Sequence, residues 1–309
     1  MGLMQDATKW VLFLASPEEP EERHVLDLAF GLHCLESAGV SSENIEIYID
    51  GDNRQNIISW MSIGSNNPYE ILPTEHFFNT HGANAHSNLV MFVTGHGGPN
   101  GIAGKQDITP YLLLTTLKTM PGLEKAIVYL GQCFAGVFNY IGAGSGRFKA
   151  AVERKEADVI FIGATNLHSS LSLSTKENVS SEDDPSKEFN WIANVFLYNV
   201  FKWFSKPIDI DGDGRITIID SYKFAGSYSN IMNKDFRVNS FVASVDLHSV
   251  WKDAVKARDA ENTPQNAMDL SMIEKRYVNI LLTVILIKNA GFLMQFQHSL
   301  LKSDYYLAR

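Results

Sequence analysis

The chain has 309 residues, of which 45% are hydrophobic and 20% are charged. A chain of this length and composition can bury a substantial core, and no long stretch is poor enough in apolar residues to indicate wholesale disorder. Its formal net charge of −9 argues against a nucleic-acid partner or an anionic membrane surface, because both bind through basic patches.

Predicted strands and helices alternate along the first half of the chain. Continuous apolar runs predict strands at residues 9–15, 45–49, 89–94, 126–130 and 159–163, and helical spacing of apolar residues predicts an amphipathic helix at residues 23–38. Strands without a polar face are typical of a mostly parallel sheet that is covered by helices on both sides. The predicted fold class is therefore α/β, a three-layer sandwich around a mostly parallel central sheet.

The second half of the chain is predicted to be largely helical. A polar, acidic segment at residues 172–187 predicts a mobile surface loop and a candidate autoprocessing site, and a helix is predicted at residues 189–204. Beyond an Asp-rich loop the chain continues as a helical C-terminal extension. We expect one domain over residues 1–230 and the extension over residues 231–309.

Cysteine usage and hydropathy bear on the compartment. The two cysteines, Cys34 and Cys133, would make a sparse disulfide framework for a secreted protein, and Cys34 falls on the apolar side of the first predicted helix. The N-terminus lacks the basic leader of a signal peptide, and the apolar run at residues 277–286 is too short to cross a bilayer. These features predict a cytoplasmic protein that does not enter the membrane.

Two of the predicted strands end in reactive side chains. Residues 89–98 (LVMFVTGHGG) deliver His96 between glycines, and residues 126–136 (AIVYLGQCFAG) deliver Cys133. Open parallel sheets bind ligands at the carboxyl ends of their strands, so the two side chains can face one cleft. Cysteine attacks as the thiolate, which an imidazole stabilises before it protonates the leaving amine. The pattern therefore indicates Cys133 as nucleophile and His96 as its general base.

Further segments occur in a recognisable order around these two motifs. They are residues 9–15 (KWVLFLA), 22–24 (ERH), 39–40 (GV), 43–47 (ENIEI) and 159–170 (VIFIGATNLHSS). Together with the histidine and cysteine motifs, this order resembles the caspase-hemoglobinase fold of cysteine peptidases, and most closely the legumain family. The similarity covers roughly residues 9–175.

The resemblance implies roles for individual residues. His96 would be the catalytic histidine, Cys133 the nucleophile, and the backbone N–H groups of Gly97 and Cys133 the oxyanion hole. Arg23 matches a family arginine that shapes the specificity pocket. The implied activity is that of a cysteine endopeptidase, which cleaves protein or peptide substrates through an acyl-enzyme thioester.

The substrate preference stays open at the level of sequence. The resemblance implies that Ser169 and Ser170 line the pocket wall, but Gln132 departs from legumains, which carry a small residue there preceded by an acid. A pocket that contains Arg23 would favour Asp or Asn before the scissile bond. A pocket dominated by the acidic residues 183–184 would favour Arg or Lys.

A separate motif occupies residues 209–220 (DIDGDGRITIID) and fits the twelve-residue loop of an EF-hand. The predicted ligands are Asp209, Asp211, Asp213, the backbone carbonyl of Arg215, and Asp220 in place of the usual glutamate. Carboxylates at this spacing repel one another unless a cation neutralises them, so we expect Ca²⁺ as a cofactor. The shorter reach of Asp220 predicts a weaker site or one that admits Mg²⁺.

The sequence leaves two alternatives to a hydrolase. A transamidase of the same fold would use the same two residues but would resolve the acyl-enzyme with an amine instead of water. A non-catalytic calcium-binding interaction module would keep the fold without turnover, although the presence of both Cys133 and His96 favours the enzyme.

Overall fold

The computed structural model describes residues 7–141, 156–179 and 188–289, with side chains described as far as residue 281. The acidic residues 183–184, which were considered above for the substrate pocket, lie outside the described residues. The chain divides into two compact units. One is formed by the described residues up to Tyr228 and the other by those from Ser229 onward.

Strands of the first unit build a central parallel sheet. The strands in the described residues are Thr8–Ala15 (β1), Ile45–Ile49 (β2), Ile71–Leu72 (β3), Asn88–Gly95 (β4), Gly97–Gly98 (β5), Gly101–Ile102 (β6), Lys125–Leu130 (β7), Asp158–Gly163 (β8), Ser172–Asn178 (β9) and Glu188–Asn194 (β10). Six of them form one sheet in the order β3-β2-β1-β4-β7-β8, and all neighbouring pairs are parallel. The predicted α/β class with a parallel sheet is confirmed.

Helices cover both faces of this sheet. The α-helices in the described residues are Glu22–Ser37 (α1), Arg54–Met61 (α2), Thr74–Thr80 (α3), Pro110–Thr119 (α4), Val195–Ser205 (α5), Ile218–Ala260 (α6) and Pro264–Asn289 (α7). Side chains of α1 and α5 pack on one face of the sheet, and side chains of α3 and α4 pack on the other. The arrangement is a three-layer sandwich, as predicted.

Strand β1 shows why both faces need a covering layer. Trp10 and Leu12 belong to one hydrophobic core, whereas Val11 and Phe13 belong to the other, and all four are almost fully buried. Successive side chains of a strand point to opposite faces, so an apolar run without interruption must be packed on both sides. Burial of each such side chain contributes roughly 1.5–3 kcal/mol.

The antiparallel hairpin of β9 and β10 corrects two predictions. Residues 172–178 form a strand and not the start of a surface loop, and residues 188–194 form a strand and not the first turns of a helix. Exposed and buried residues alternate along β10 as far as Ala193, which is the period of a strand. The helix begins only at Val195, with Asn194 as its N-cap.

The second unit is a helical hairpin. The part of α6 from Ser229 onward is joined to α7 by a short turn, and Trp251 stacks on Tyr277 while its indole N–H donates to Glu274. The predicted helical C-terminal extension is thus present in the described residues. No helix in the described part of the chain combines the length and the apolarity needed to cross a membrane.

Candidate active site

The tips of β4 and β7 bring His96 and Cys133 together. The two strands are neighbours, with Val93 in register with Leu130, and the N–H of Gly131 donates to the carbonyl of Val93 over 2.8 Å. His96 and Cys133 each follow this pair by three residues. Because the strands run in the same direction, their extensions emerge at the same edge of the sheet. The segments that carry the predicted nucleophile and base therefore leave the sheet at the same edge.

Gly97 allows the loop of His96 to approach the nucleophile closely. A Cβ atom at position 97 would lie 2.3 Å from the carbonyl oxygen of Cys133 and 2.5 Å from Cγ of Gln132. These distances are far shorter than a non-bonded contact. A Cβ atom at Gly98, in contrast, would meet no atom within 4 Å. The backbone of the histidine loop thus packs directly on that of the nucleophile.

The chain turns sharply after Cys133. Phe134 has φ 57° and ψ 24°, and it is the only non-glycine residue with positive φ among the described residues. This left-handed conformation costs about 1–2 kcal/mol and is concentrated at functional sites. Two hydrogen bonds hold it: the N–H of Phe134 donates to His168 O over 2.8 Å, and the N–H of Gly136 donates to Asn166 O over 3.1 Å.

The thiol of Cys133 is half-buried and faces Ser170. The Ser170 N–H donates to Sγ over 3.3 Å, and the Ser170 hydroxyl oxygen lies 3.6 Å from Sγ. An N–H group aimed at sulfur stabilises negative charge that develops there. Ser169, the other predicted wall residue, is exposed, and its carbonyl oxygen lies 3.1 Å from Nδ1 of His168. Of the two serines, Ser170 is the one that contacts Cys133.

Gln132 was predicted to bind substrate, but the structure buries its side chain. Its side chain has no exposed surface, and it packs beneath Gly97. Neither polar atom of its amide forms a hydrogen bond within the described part of the chain. A side chain without accessible surface is not positioned to contact a substrate.

Glu21 holds the ring of His96. One carboxylate oxygen lies 2.6 Å from Nε2 of His96, and the other accepts a hydrogen bond from Nε of Arg23 over 2.5 Å. The hydrogen bonds from Arg23 and His96 lower the pKa of Glu21 to about 2. With Nε2 engaged, Nδ1 is the ring nitrogen left for proton transfer. Glu21 was not predicted from the sequence; in the structure it precedes α1 as its N-cap residue, without a side-chain capping bond.

Arg23 belongs to the same site. Its Nη1 group lies 3.4 Å from the hydroxyl of Ser172 at the start of β9, and its Nε group is bound by Glu21. The side chain is 27% exposed, so part of the guanidinium is open to a ligand. Arg23 is thereby connected to His96 through a single shared carboxylate.

A buried hydrogen-bond network underlies these residues. Asp27 accepts hydrogen bonds from the indole N–H of Trp191 over 2.9 Å, from the N–H of Asn194 over 3.0 Å and from the Thr94 hydroxyl over 2.9 Å. The side-chain amide of Asn194 in turn donates to the carbonyl of Gly131 over 2.6 Å. A fully bonded buried network specifies one arrangement of its elements. The network therefore fixes α1, β10 and the tips of β4 and β7 to one another.

The Asp-rich loop brings three carboxylates together. Oxygen atoms of Asp209, Asp211 and Asp213 lie within 4.8 Å of one another. Both oxygens of Asp209 accept backbone hydrogen bonds, from Gly212 over 2.6 Å and from Gly214 over 2.8 Å, and both glycines have positive φ. Each oxygen has two lone pairs, so these bonds leave acceptor sites available. An all-oxygen donor set of this kind fits calcium.

Asp220 has a different principal role from the predicted ligand. It is fully buried, and its Oδ1 accepts the N–H of Ile210 over 3.0 Å, while its Oδ2 accepts the N–H and the hydroxyl of Thr217 over 2.7 and 2.9 Å. It closes the loop and accepts two hydrogen bonds from Thr217, the residue before α6. These bonds leave one free lone pair, on Oδ1. Asp220 can therefore offer a single oxygen to a cation, whereas the usual glutamate binds through both of its oxygens.

Two basic side chains partly neutralise the loop. The ammonium of Lys223 contacts Oδ2 of Asp211, and this hydrogen bond lowers the pKa of Asp211 and raises the pKa of Lys223. The guanidinium of Arg215, whose carbonyl is a predicted ligand, lies 3.4 Å from the carboxylate of Asp213. Both ion pairs are solvent-accessible and hence weak, so a divalent cation can displace them.

Comparisons with known proteins add no family to this description. No protein-family model matches the chain, and no curated protein matches it. The function therefore has to be inferred from the geometry of the site.

Proposed function

We propose that the chain is a cysteine endopeptidase of the legumain-like type, with Cys133 as nucleophile and His96 as general acid and base. The observation that carries the proposal is the position of these two residues at the tips of neighbouring parallel strands. A thiol and an imidazole that share one cleft can pass a proton between them. The strained turn at Phe134 and the carboxylate of Glu21 add support, because both orient the pair.

The proposed reaction has two steps. Cys133 gives its proton to His96, and its sulfur attacks the carbonyl carbon of the scissile amide; the C–N bond breaks as His96 protonates the leaving amine. His96 then accepts a proton from water, whose oxygen attacks the thioester carbon; the C–S bond breaks, the acid product leaves, and His96 returns the proton to the sulfur. Glu21 keeps Nε2 engaged, so Nδ1 carries the proton in both steps.

Backbone groups beside the dyad are proposed to bind the oxyanion. We assign this role to the N–H groups of Gly97 and Cys133, whose backbones are in direct contact. A donor of this kind typically stabilises the transition state by about 3 kcal/mol. The requirement for glycine at position 97 supports the assignment, because a side chain there would separate the two loops.

Arg23 is proposed to recognise the side chain before the scissile bond. Its guanidinium is already paired with Glu21, so this part of the pocket carries little net charge. A carboxamide can accept a hydrogen bond from Arg23 without electrostatic repulsion by Glu21, whereas a carboxylate is repelled. We therefore propose a preference for Asn over Asp. A preference for Arg or Lys would point to residues 183–184 instead.

The Asp-rich loop is proposed to bind Ca²⁺ through Asp209, Asp211, Asp213, the carbonyl of Arg215 and a single oxygen of Asp220. The ion would neutralise carboxylates that otherwise repel one another. The loop leads into α6, whose Ser221 hydroxyl lies 2.6 Å from the hydroxyl of Tyr129 in β7. The proposed role of the ion is thus to stabilise the start of α6 against the strand that carries the nucleophile.

The cytoplasm is the proposed compartment. Both cysteines are unpaired, and proteins without disulfides are typical of the reducing cytosol. Fractionation of cells that express the chain with a small epitope tag tests this assignment, and recovery in the secreted fraction would contradict it.

A fluorogenic peptide library tests the proposed activity. The wild type should cleave a defined subset of peptides, and Cys133→Ala and His96→Ala should lose cleavage while circular dichroism shows an unchanged fold. A peptidyl electrophile should label Cys133 in the wild type and fail to do so after His96→Ala. A folded wild-type chain that neither cleaves nor becomes labelled would overturn the proposal.

Product analysis separates hydrolysis from transamidation. With an added amine nucleophile, mass spectrometry should find the free acid as the acyl product. Quantitative transfer to the amine would replace the peptidase proposal by the transamidase.

A further inference from the structure

A second chemical feature converges on the catalytic histidine. Glu21, His24 and His96 each offer one ligand atom, and these atoms lie within 4.8 Å of one another. The rings of His24 and His96 meet edge to face, with their centroids 5.1 Å apart. Two imidazoles and one carboxylate with an open fourth position are a donor set typical of zinc.

The hydrogen bonds of His24 determine which ring nitrogen is available. The Thr94 hydroxyl donates its proton to Asp27 over 2.9 Å, and Nδ1 of His24 lies 3.3 Å from the same hydroxyl oxygen. Since the hydroxyl proton is committed to Asp27, Nδ1 must be the donor to Thr94. His24 therefore carries its proton on Nδ1, and Nε2 presents a lone pair.

This lone pair is buried and has no partner. His24 is 4% exposed, and its Nε2 forms no hydrogen bond within the described residues. A buried polar atom without a partner destabilises the fold, so the position points to a ligand. The carboxylate of Glu21 makes a cation the favoured ligand. The hydrogen bonds from His24 Nδ1 to Thr94 and from Thr94 to Asp27 resemble those that orient zinc-binding histidines through the ring nitrogen that does not bind the metal.

The spacing of the three side chains suits a small tetrahedral ion. Ligand atoms about 2.1 Å from zinc lie roughly 3.4 Å from one another. This value lies between two distances in the structure. His96 Nε2 is 2.6 Å from Glu21 Oε1, and all three ligand atoms lie within 4.8 Å of one another. Glu21 and His96 are 49% and 54% exposed, so both can rotate toward an ion while buried His24 stays in place.

We infer that Glu21, His24 and His96 form a zinc site, and that zinc bound there inhibits the enzyme. The inhibition rests on the proposed function, whereas the binding does not. Zinc takes the place of the Nε2 proton of His96, and the displaced proton moves to Nδ1, the nitrogen that otherwise receives the proton of Cys133. With Nε2 bound to zinc and Nδ1 protonated, His96 has no lone pair left to act as the base.

Calorimetric titration of the full chain with zinc chloride tests the site. Excess calcium in the buffer occupies oxygen-ligand sites such as the Asp-rich loop. We expect one zinc ion per chain. His24→Gln and Glu21→Gln should each weaken binding by about tenfold or more. The exposed control His76→Asn should bind zinc like the wild type.

The two glutamine variants guard against a folding artefact. Circular dichroism checks His24→Gln, whose side chain is buried, and Glu21→Gln lies at a solvent-exposed position. A wild type that does not bind zinc would overturn the site. Zinc binding by both folded variants with the affinity of the wild type would overturn it as well. Loss of binding in Cys133→Ala would also overturn it, because zinc would then sit on the thiolate.

The activity readout distinguishes this inference from the proposed function. The wild type could bind zinc, and the variants could bind it more weakly as expected, while no peptide is cleaved. That result would contradict the proposed function and would still support the zinc site. In an active wild type, zinc should inhibit cleavage and a chelator should restore it. Equal sensitivity of the residual activity of Glu21→Gln to zinc would contradict the inhibitory role.

Discussion

The side-chain amide of Asn194 donates a hydrogen bond to the carbonyl oxygen of Gly131 over 2.6 Å. Asn194 ends β10, and Gly131 precedes Cys133 by two residues, so this bond ties the hairpin to the loop of the nucleophile. The same side chain caps α5, because its oxygen accepts the N–H of Leu197 over 3.0 Å. One buried residue thus joins the hairpin, a helix and the nucleophile turn.

Removal of the amide donor alone should destabilise the protein. We expect Asn194→Ser, which can still cap α5, to lower the free energy of unfolding by roughly 1–3 kcal/mol, because the Gly131 carbonyl is left buried without a donor. Asn194→Ala should lose about 1 kcal/mol more through the missing N-cap. Urea denaturation measures both changes. A serine variant as stable as the wild type would contradict the coupling.

Adjacent glycines offer a matched pair at the catalytic loop. Gly97→Ala should lower kcat by about a hundredfold or more, because the new methyl group must push the histidine loop away from the backbone of Cys133. Gly98→Ala, whose methyl group would meet open space, should retain activity near that of the wild type. Steady-state cleavage of one fluorogenic peptide compares the two. Equal rates for both variants would disprove the packing argument.

The charge of Glu21 should matter beyond its shape. Glu21→Gln should reduce kcat by roughly 10- to 100-fold, because an amide orients His96 without stabilising its charged form. It should also shift the selectivity from Asn toward Asp, because the partner that neutralises Arg23 is gone. The exposed neighbour Glu22→Gln is the control. Kinetics with paired Asn and Asp peptides test both effects, and an unchanged kcat would exclude Glu21 from the mechanism.

The Asp-rich loop should make stability depend on calcium. A ligand present at a hundred times its Kd stabilises the folded state by about 2.7 kcal/mol, so calcium should raise the Tm of the wild type and EGTA should reverse the effect. Asp209→Asn should lose this response, whereas Asp235→Asn, at an exposed position of α6, should keep it. Thermal unfolding with each additive measures the difference. A calcium response that survives Asp209→Asn would rule out the loop as its source.

The buried strands are predictable from sequence because each is a continuous apolar run that can be satisfied only inside a covered sheet. Strand β9 is not predictable in this way, because its composition is polar. Its pairing partner, β10, follows later in the chain, and no local sequence pattern links the two strands. The apolar positions of β10 pass without a break into those of α5, so the two elements appear as one helix. The change of period at Asn194 is visible only in the folded chain.

The site divides in the same way. His96 and Cys133 are predictable because strand tips of a parallel sheet meet at one edge. Glu21 meets His96 across 75 residues, and Asp27 meets Asn194 across 167, so neither contact leaves a local signature. Gln132 is the reverse case: its place next to Cys133 in the sequence suggests contact with substrate, whereas in the fold its side chain is buried beneath Gly97.

The two thiols of the chain differ sharply in accessibility. Cys34, predicted to be a core residue, is 2% exposed, and burial raises the pKa of its thiol well above the ordinary value. Cys133 is the only other cysteine of the chain. A water-soluble alkylating reagent at neutral pH should therefore label Cys133 alone, with one equivalent per native chain. Cys34 should react with a second equivalent of the reagent only when the core opens. The rate of that second reaction therefore reports the rate of unfolding.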